Sequence, residues 1–220
     1  VLDPKVFSEA AVDPETAELT RRVEALLARE PDPTAVAPAR LRAAREEGRS
    51  VWGPMRRVDA ARERRIRGPA GEIGLRVLVP PGDDVRGVYL HLHGGGWVLG
   101  APHHADVGNW ALARHCGVAV VSVDYRLAPE HPYPAAPDDC EAAALWLLEH
   151  AAREFGSERL LIGGESAGAH LALVTLLRLR DRHGVRALSG ANLVYGMYDL
   201  AGTPSVRRWG GRNLILSTAL

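Results

Sequence analysis

From residue 71 onward, short apolar runs alternate with longer stretches of helical periodicity. Ile73 to Val79 alternates apolar and polar positions and stops at Pro80-Pro81-Gly82, a turn. Val88 to Leu92 and Val118 to Val123 are nearly continuous apolar runs rich in valine and leucine. Strands buried on both faces of a mainly parallel sheet read that way. Leu160 to Gly163 and Leu193 to Tyr195 give two more short strands. Between them, Asp138 to Phe155 sets Ala142, Leu145, Trp146 and Glu149 at helical spacing, and Ser166 to Arg182 is a helix rich in alanine and leucine. The alternation predicts an α/β protein, a mainly parallel sheet flanked by helices on both faces.

The first 70 residues follow another pattern. Asp13-Pro14-Glu15 supplies an N-cap, a proline at the first helical position and an acid in the first turn. Leu19, Val23, Leu26 and Leu27 then recur at helical spacing up to Pro31, and an arginine-rich second helix is expected from Thr34 to Gly48. Two such helices, joined by Pro31-Asp32-Pro33, bury little alone and need a partner surface. Residues 1–50 are therefore expected to form an N-terminal helical cap, and residues 51–220 the α/β core. Arg40 to Arg67 carries ten arginines against Glu46, Glu47, Asp59 and Glu63, which reads as a solvated helical face and linker.

Composition narrows the function. The 220 residues are 46% hydrophobic and 25% charged, and 27 basic groups balance 27 acidic ones. Nothing in that balance draws the chain to nucleic acid or to an anionic membrane. Lys5 is the only lysine, so a mechanism built on a central lysine is excluded. Cys116 and Cys140 lack CxxC or metal-type spacing and are expected to be buried free thiols, which suits a reducing compartment. No signal-peptide pattern opens the chain and no apolar run approaches the roughly 20 residues of a membrane span. A cytoplasmic location is the expectation.

The strongest chemical signal is Gly164-Glu165-Ser166-Ala167-Gly168, a G-x-S-x-G with a buried strand before it and a helix directly after it. A tight strand-to-helix turn exposes the serine at its tip, and the flanking positions must be small because strand and helix nearly touch. The helix N-terminus brings backbone N–H groups and the positive end of the dipole beside the hydroxyl. Gly163 and Gly168 have the spacing of a phosphate loop, but Ala169-His170 follows where Lys-Ser or Lys-Thr is required. Gly94 to Gly100 misses G-x-G-x-x-G by one residue, so neither loop is read as a nucleotide site.

The second signal is His93-Gly94-Gly95-Gly96-Trp97 after a buried strand. Three glycines let backbone N–H groups face a substrate oxygen without obstruction. Acyl transfer needs such donors, because its tetrahedral intermediate carries an oxyanion and each donor stabilises it by about 3–4 kcal/mol. The N–H of Ala167 completes the candidate oxyanion hole.

With Asp124-Tyr125-Arg126-Leu127-Ala128-Pro129-Glu130 and His131-Pro132-Tyr133-Pro134-Ala135-Ala136 between them, these motifs resemble the hormone-sensitive-lipase-like esterases, bacterial family IV, over about residues 70–200. The resemblance implies an α/β-hydrolase fold with an N-terminal helical cap and a carboxylesterase acting on short-to-medium acyl esters. It makes Ser166 the nucleophile and Gly94, Gly95, Gly96 and Ala167 the oxyanion hole, with Trp97 a candidate for the substrate pocket. The 125–136 segment becomes a structural frame for the site. A small-molecule ester is the implied partner, no cofactor or metal is implied, and a homodimer is a candidate assembly.

A general base is missing from this pattern. In this fold the acid and histidine follow the serine, yet only 54 residues follow Ser166. His170 would have to fold back on its own helix, and His183 lies more than about 20 Å along it. Asp199 matches a structural position and is left out of the triad. His103 and His104 diverge as neighbours and, with Asp106, do not make a metal site. The triad acid and histidine are expected beyond residue 220. A catalytically disabled ligand-binding protein on the same scaffold is the alternative.

Overall fold

The computed structural model describes residues 3, 5, 8–30, 32–82, 84–186 and 188–209. The chain divides into two compact units, Met55–Tyr198 and Val1–Pro54 with Asp199–Leu220. The second of these contains α1 (Pro14–Leu27) and α2 (Pro38–Glu46). The Asp13 side chain caps α1 by accepting from the Glu15 and Thr16 backbone N–H groups, and neither helix buries a residue.

The larger unit is a six-stranded sheet of β1 (Arg62–Gly68), β2 (Gly71–Leu78), β3 (Gly87–Leu92), β4 (Val118–Asp124), β5 (Leu160–Glu165) and β6 (Leu188–Val194). The strands lie in the order β1-β2-β4-β3-β5-β6. β1 and β2 are antiparallel neighbours, β2 runs antiparallel to β4, and β4, β3, β5 and β6 are parallel. Among the described residues, three α-helices complete the unit: α3 (Asp106–Cys116), α4 (Ala135–Phe155) and α5 (Ala167–His183). This is the α/β-hydrolase arrangement expected from the sequence.

Both faces of the central strands are buried, which explains their near-continuous apolar runs. Val88, Leu90 and Leu92 of β3 join Val121 and Val123 of β4, Leu147 of α4 and Leu171 of α5 in the main core. The intervening Tyr89 and Val120 point to the other face, where Leu78 and Ala113 of α3 meet them. Each fully buried valine or leucine contributes about 1.5–3 kcal/mol. α3, α4 and α5 stop at Gly117, Gly156 and Gly184, all left-handed.

Two expectations need correction, and one element is not anticipated. The arginine-rich linker contains a strand: β1 pairs with β2 along its whole length, and only Ile66, opposite Ile73, is buried. An edge strand with one apolar contact and a row of charges looks like a solvated linker in sequence. α3 is a helix that the apolar pattern does not show, because two of its three buried residues, Asp106 and Asn109, are polar. Asp106 accepts from Arg76 Nε at 2.6 Å and from the Val58 N–H at 2.9 Å. Finally, Cys140 is buried, but Cys116 at the end of α3 is exposed. Among the described residues, no helix is long and apolar enough to cross a membrane.

Candidate active site

Ser166 sits between β5 and α5 with φ 55° and ψ −119°. A non-glycine residue with a positive φ at that ψ is strained by about 1–3 kcal/mol and persists only where its surroundings force it. They do so here. The Ser166 N–H donates to Val194 O of β6 at 3.0 Å, and the Ser166 carbonyl accepts from His170 N–H at 3.1 Å. The serine is thus held at both ends, by the sheet and by the first turn of α5.

The glycines around it mark how tightly the turn is packed. A Cβ on Gly164 would lie 1.9 Å from Leu92 O, and so would a Cβ on Gly168. A side chain at Gly164 would force β5 away from its partner β3, and one at Gly168 would drive α5 off β3. Ala167, at the first position of α5, is itself 2% exposed. Its N–H belongs to the first helical turn, whose donors have no intrahelical acceptor and carry the positive end of the dipole.

The glycine loop lies against this turn. A Cβ on Gly94 would be 2.9 Å from Glu165 O and 3.5 Å from Ser166 Cβ. Gly95 (φ 130°), Gly96 (φ 62°) and Trp97 (φ 62°) all take positive φ. At Gly95 a side chain would also meet Leu99 O at 2.1 Å, whereas a Cβ on Gly96 would meet nothing within 4 Å. Gly95 O accepts from Leu99 N–H at 2.8 Å, closing the loop on itself. The structure therefore brings Ser166, Ala167 and Gly94 together, with Gly95, Gly96 and Trp97 following in the same loop. The Trp97 and His170 rings meet edge to face with centroids 5.1 Å apart. Burial depresses the His170 pKa below its ordinary 6.5.

The 125–136 segment frames the loop through specific bonds. Tyr125 Oη donates to His93 O at 2.7 Å, and its ring stacks on the His93 imidazole at 4.2 Å. His93 Nδ1 donates to Gly94 O at 2.9 Å, since a carbonyl can only accept. The Ala128 N–H donates to Trp97 O at 3.0 Å. Arg126 forks onto Asp139 of α4, at 2.9 and 2.8 Å.

One feature of the site is invisible in the linear motif. The Glu165 carboxylate, directly before Ser166, lies 3.2 Å from Nε2 of the fully buried His91. Burial pushes the Glu165 carboxyl upward, but the hydrogen bond from His91, with a backbone hydrogen bond, outweighs it and leaves the group below its ordinary value. Among the described residues, no side chain hydrogen-bonds the Ser166 hydroxyl. The arrangement offers a half-buried hydroxyl on a strained turn, a helix N-terminus and a glycine-rich backbone, which are the parts for attack on a carbonyl carbon and for holding the resulting negative oxygen.

A family model described as alpha/beta hydrolase fold matches residues 89–219. Among curated proteins, the chain is 43% identical over 132 residues to the carboxylic ester hydrolase LipN of Mycobacterium tuberculosis, covering 59% of this chain and 35% of that protein. It is 44% identical over 142 residues to the esterase LipI of the same organism, covering 61% of this chain and 42% of that one. The chain thus spans well under half the length of these two relatives. Among solved structures, a serine-to-alanine mutant of an alpha/beta hydrolase enzyme from the metagenome of Lake Arreo, Spain, superposes with a TM-score of 0.82 at 30% identity. That match covers 96% of this chain and 68% of the other.

Proposed function

The chain belongs to the alpha/beta hydrolase fold family, and on that premise we propose that it is the nucleophile-bearing part of a carboxylester hydrolase. Ser166 Oγ attacks the ester carbonyl, and the N–H groups of Gly94, Gly95, Gly96 and Ala167 receive the developing oxyanion. The alkoxide leaves, an acyl-serine forms, and water hydrolyses it. The acid and histidine that activate the serine belong to the part of the relatives' length that this chain does not span. Short-to-medium acyl esters are the proposed substrates, with Trp97 lining their pocket and residues 1–50 acting as a cap.

The observation that carries this reading is the backbone of Ser166, at φ 55° and ψ −119° between a strand and a helix, with Gly94 against it. Strain of this kind has a use when the residue is a nucleophile that must stand clear of the sheet. A ligand-binding protein on the same scaffold would have no use for it, and a glycine at 166 would relieve it.

The test is intact-protein mass of the complete native polypeptide before and after treatment with a fluorophosphonate probe, alongside turnover of p-nitrophenyl esters of increasing acyl length. One adduct on Ser166, and loss of both labelling and turnover in Ser166→Ala, is the expected result. An adduct on another residue, or turnover that survives Ser166→Ala, would overturn the proposal.

A further inference from the structure

We propose that His91 and Glu165 are positioning residues, a brace that holds the two halves of the oxyanion hole in register. This rests on the reading of Ser166 as nucleophile. One half, the glycine loop, hangs from the end of β3, and the other, Ser166 with Ala167, hangs from the end of β5. Those strand ends pair as His91 with Gly163 and Leu92 with Gly164. The glycines that allow the close approach also remove the side chains that would otherwise lock the strands laterally. At this end of the β3–β5 pair, the His91–Glu165 contact at 3.2 Å is the side-chain tie.

The tie is itself held. Asn109 Nδ2 lies 3.1 Å and Ser122 Oγ 2.7 Å from His91 Nδ1. An amide nitrogen only donates, so Nδ1 is the acceptor, and the proton sits on Nε2, aimed at Glu165. The imidazole is fully buried between β4, α3 and β5 and cannot swing to another partner. The Glu165 main chain also lies against the glycine loop, its carbonyl oxygen 2.9 Å from the place a Cβ would take on Gly94.

The residue choice at 165 argues the same way. A carboxylate next to the serine works against the oxyanion that forms there, by like-charge repulsion. An apolar side chain would avoid that penalty. A glutamate is therefore useful here only through what it holds, and what it holds is His91, two residues before His93 and the glycine loop. The brace adds no contact to the substrate in its ground state. It fixes the distance between Ser166 and the oxyanion donors, so its loss falls on the chemical step.

The experiment measures kcat and KM for a p-nitrophenyl ester on the complete native polypeptide, with active serines counted by fluorophosphonate titration. The variants are Glu165→Ala, Glu165→Gln, His91→Phe and the Glu165→Ala/His91→Phe pair. Per titrated serine, Glu165→Ala and His91→Phe each lower kcat by about 10- to 100-fold, as expected for a sub-ångström to 1 Å misplacement, and leave KM within about 2-fold. Glu165→Gln keeps an oxygen for the His91 Nε2 proton and retains kcat within about 3-fold of wild type. The double variant is no slower than the slower single one, since both remove the same tie. A role in stability alone would reduce the number of titrated serines and leave kcat per serine unchanged, and that result, or additive losses in the double variant, overturns the brace. If His91→Phe does not fold, the alanine and glutamine variants at 165 decide by themselves. Turnover that persists in Ser166→Ala would instead refute the nucleophile assignment, independently of what happens at 91 and 165.

Discussion

Alanine at Gly168 tests the packing of the serine turn. Its Cβ would lie 1.9 Å from Leu92 O, 2.6 Å from Leu92 C and 2.8 Å from His93 O. These are backbone atoms at the end of β3, which pairs with β4 up to His91 and with β5 at Leu92, and they cannot rotate away. Non-bonded heavy atoms are comfortable near about 3.5 Å, so the first turn of α5 must retreat by about 1 Å or more. Overpacking of a rigid site costs about 1–3 kcal/mol, with the upper end expected against backbone. Alanine returns about 1 kcal/mol of helix propensity, leaving a net loss of about 2 kcal/mol. Gly108 in α3 is the control, because a Cβ there meets nothing within 4 Å. Gly108→Ala should gain about 0.5–1 kcal/mol from the same propensity. Urea denaturation of both variants beside wild type, with the slopes compared, gives the two differences. The retreat also moves Ser166 away from Gly94, so turnover per folded Gly168→Ala molecule should fall about 100-fold. If Gly168→Ala is stabilised like Gly108→Ala, α5 does not press on Leu92 and this account of the turn is wrong.

Three further outcomes are expected. Ser166→Gly should stabilise the fold by about 1 kcal/mol, relief of strain at φ 55° less the entropy of glycine, while removing fluorophosphonate labelling; a destabilised variant would mean the turn is not strained. Burial depresses the His170 pKa in the fold, so the unfolded chain takes up that proton first as the pH falls. Stability from this residue is complete above about pH 6.5 and declines below it, and His170→Asn should flatten that decline; an unchanged slope between about pH 7.5 and about pH 5 would count against it. A thiol reagent such as DTNB should modify one cysteine in the native protein and two in denaturant, because Cys116 is exposed while burial pushes the Cys140 thiol well above its ordinary range; two fast native thiols would contradict the buried position of Cys140.

Much of the fold is legible in the sequence where residues bury apolar surface. Val88 to Leu92, Val118 to Val123 and Leu160 to Gly163 read as buried strands because both of their faces meet side chains, and the structure has β3, β4 and β5 there. Helix α4 begins at Ala135, three residues before the expected Asp138, because Ala135, Ala136 and Pro137 are buried as a first turn without a side-chain cap. β6 begins at Leu188 rather than Leu193, since most of its residues remain partly or fully exposed and leave no apolar run to read. β1 and α3 are hidden for opposite reasons. β1 pairs through its backbone while its arginines stay in solvent, and α3 buries an aspartate and an asparagine that answer polar groups on other elements, Arg76 and His91. Periodicity reports burial of apolar groups, and neither element is built on that.

The candidate site divides along the same line. Ser166, Ala167 and the three glycines are readable because a strained turn and an obstructed backbone restrict residue type locally, and each restriction falls within five neighbouring positions. What aligns the two halves is not local. His91 and Glu165 are 74 positions apart and become neighbours only because β3 and β5 are adjacent in the sheet. In the linear motif, Glu165 occupies a variable position and His91 is one more histidine at a strand end. Their pairing depends on strand order, on the glycines opposite, and on an asparagine from a helix that the apolar pattern does not reveal. A G-x-S-x-G and a glycine run can therefore identify the kind of chemistry while leaving its rate undetermined. The rate depends on how firmly the two strand ends are held, and in this protein a buried imidazole and the carboxylate beside the serine supply that hold.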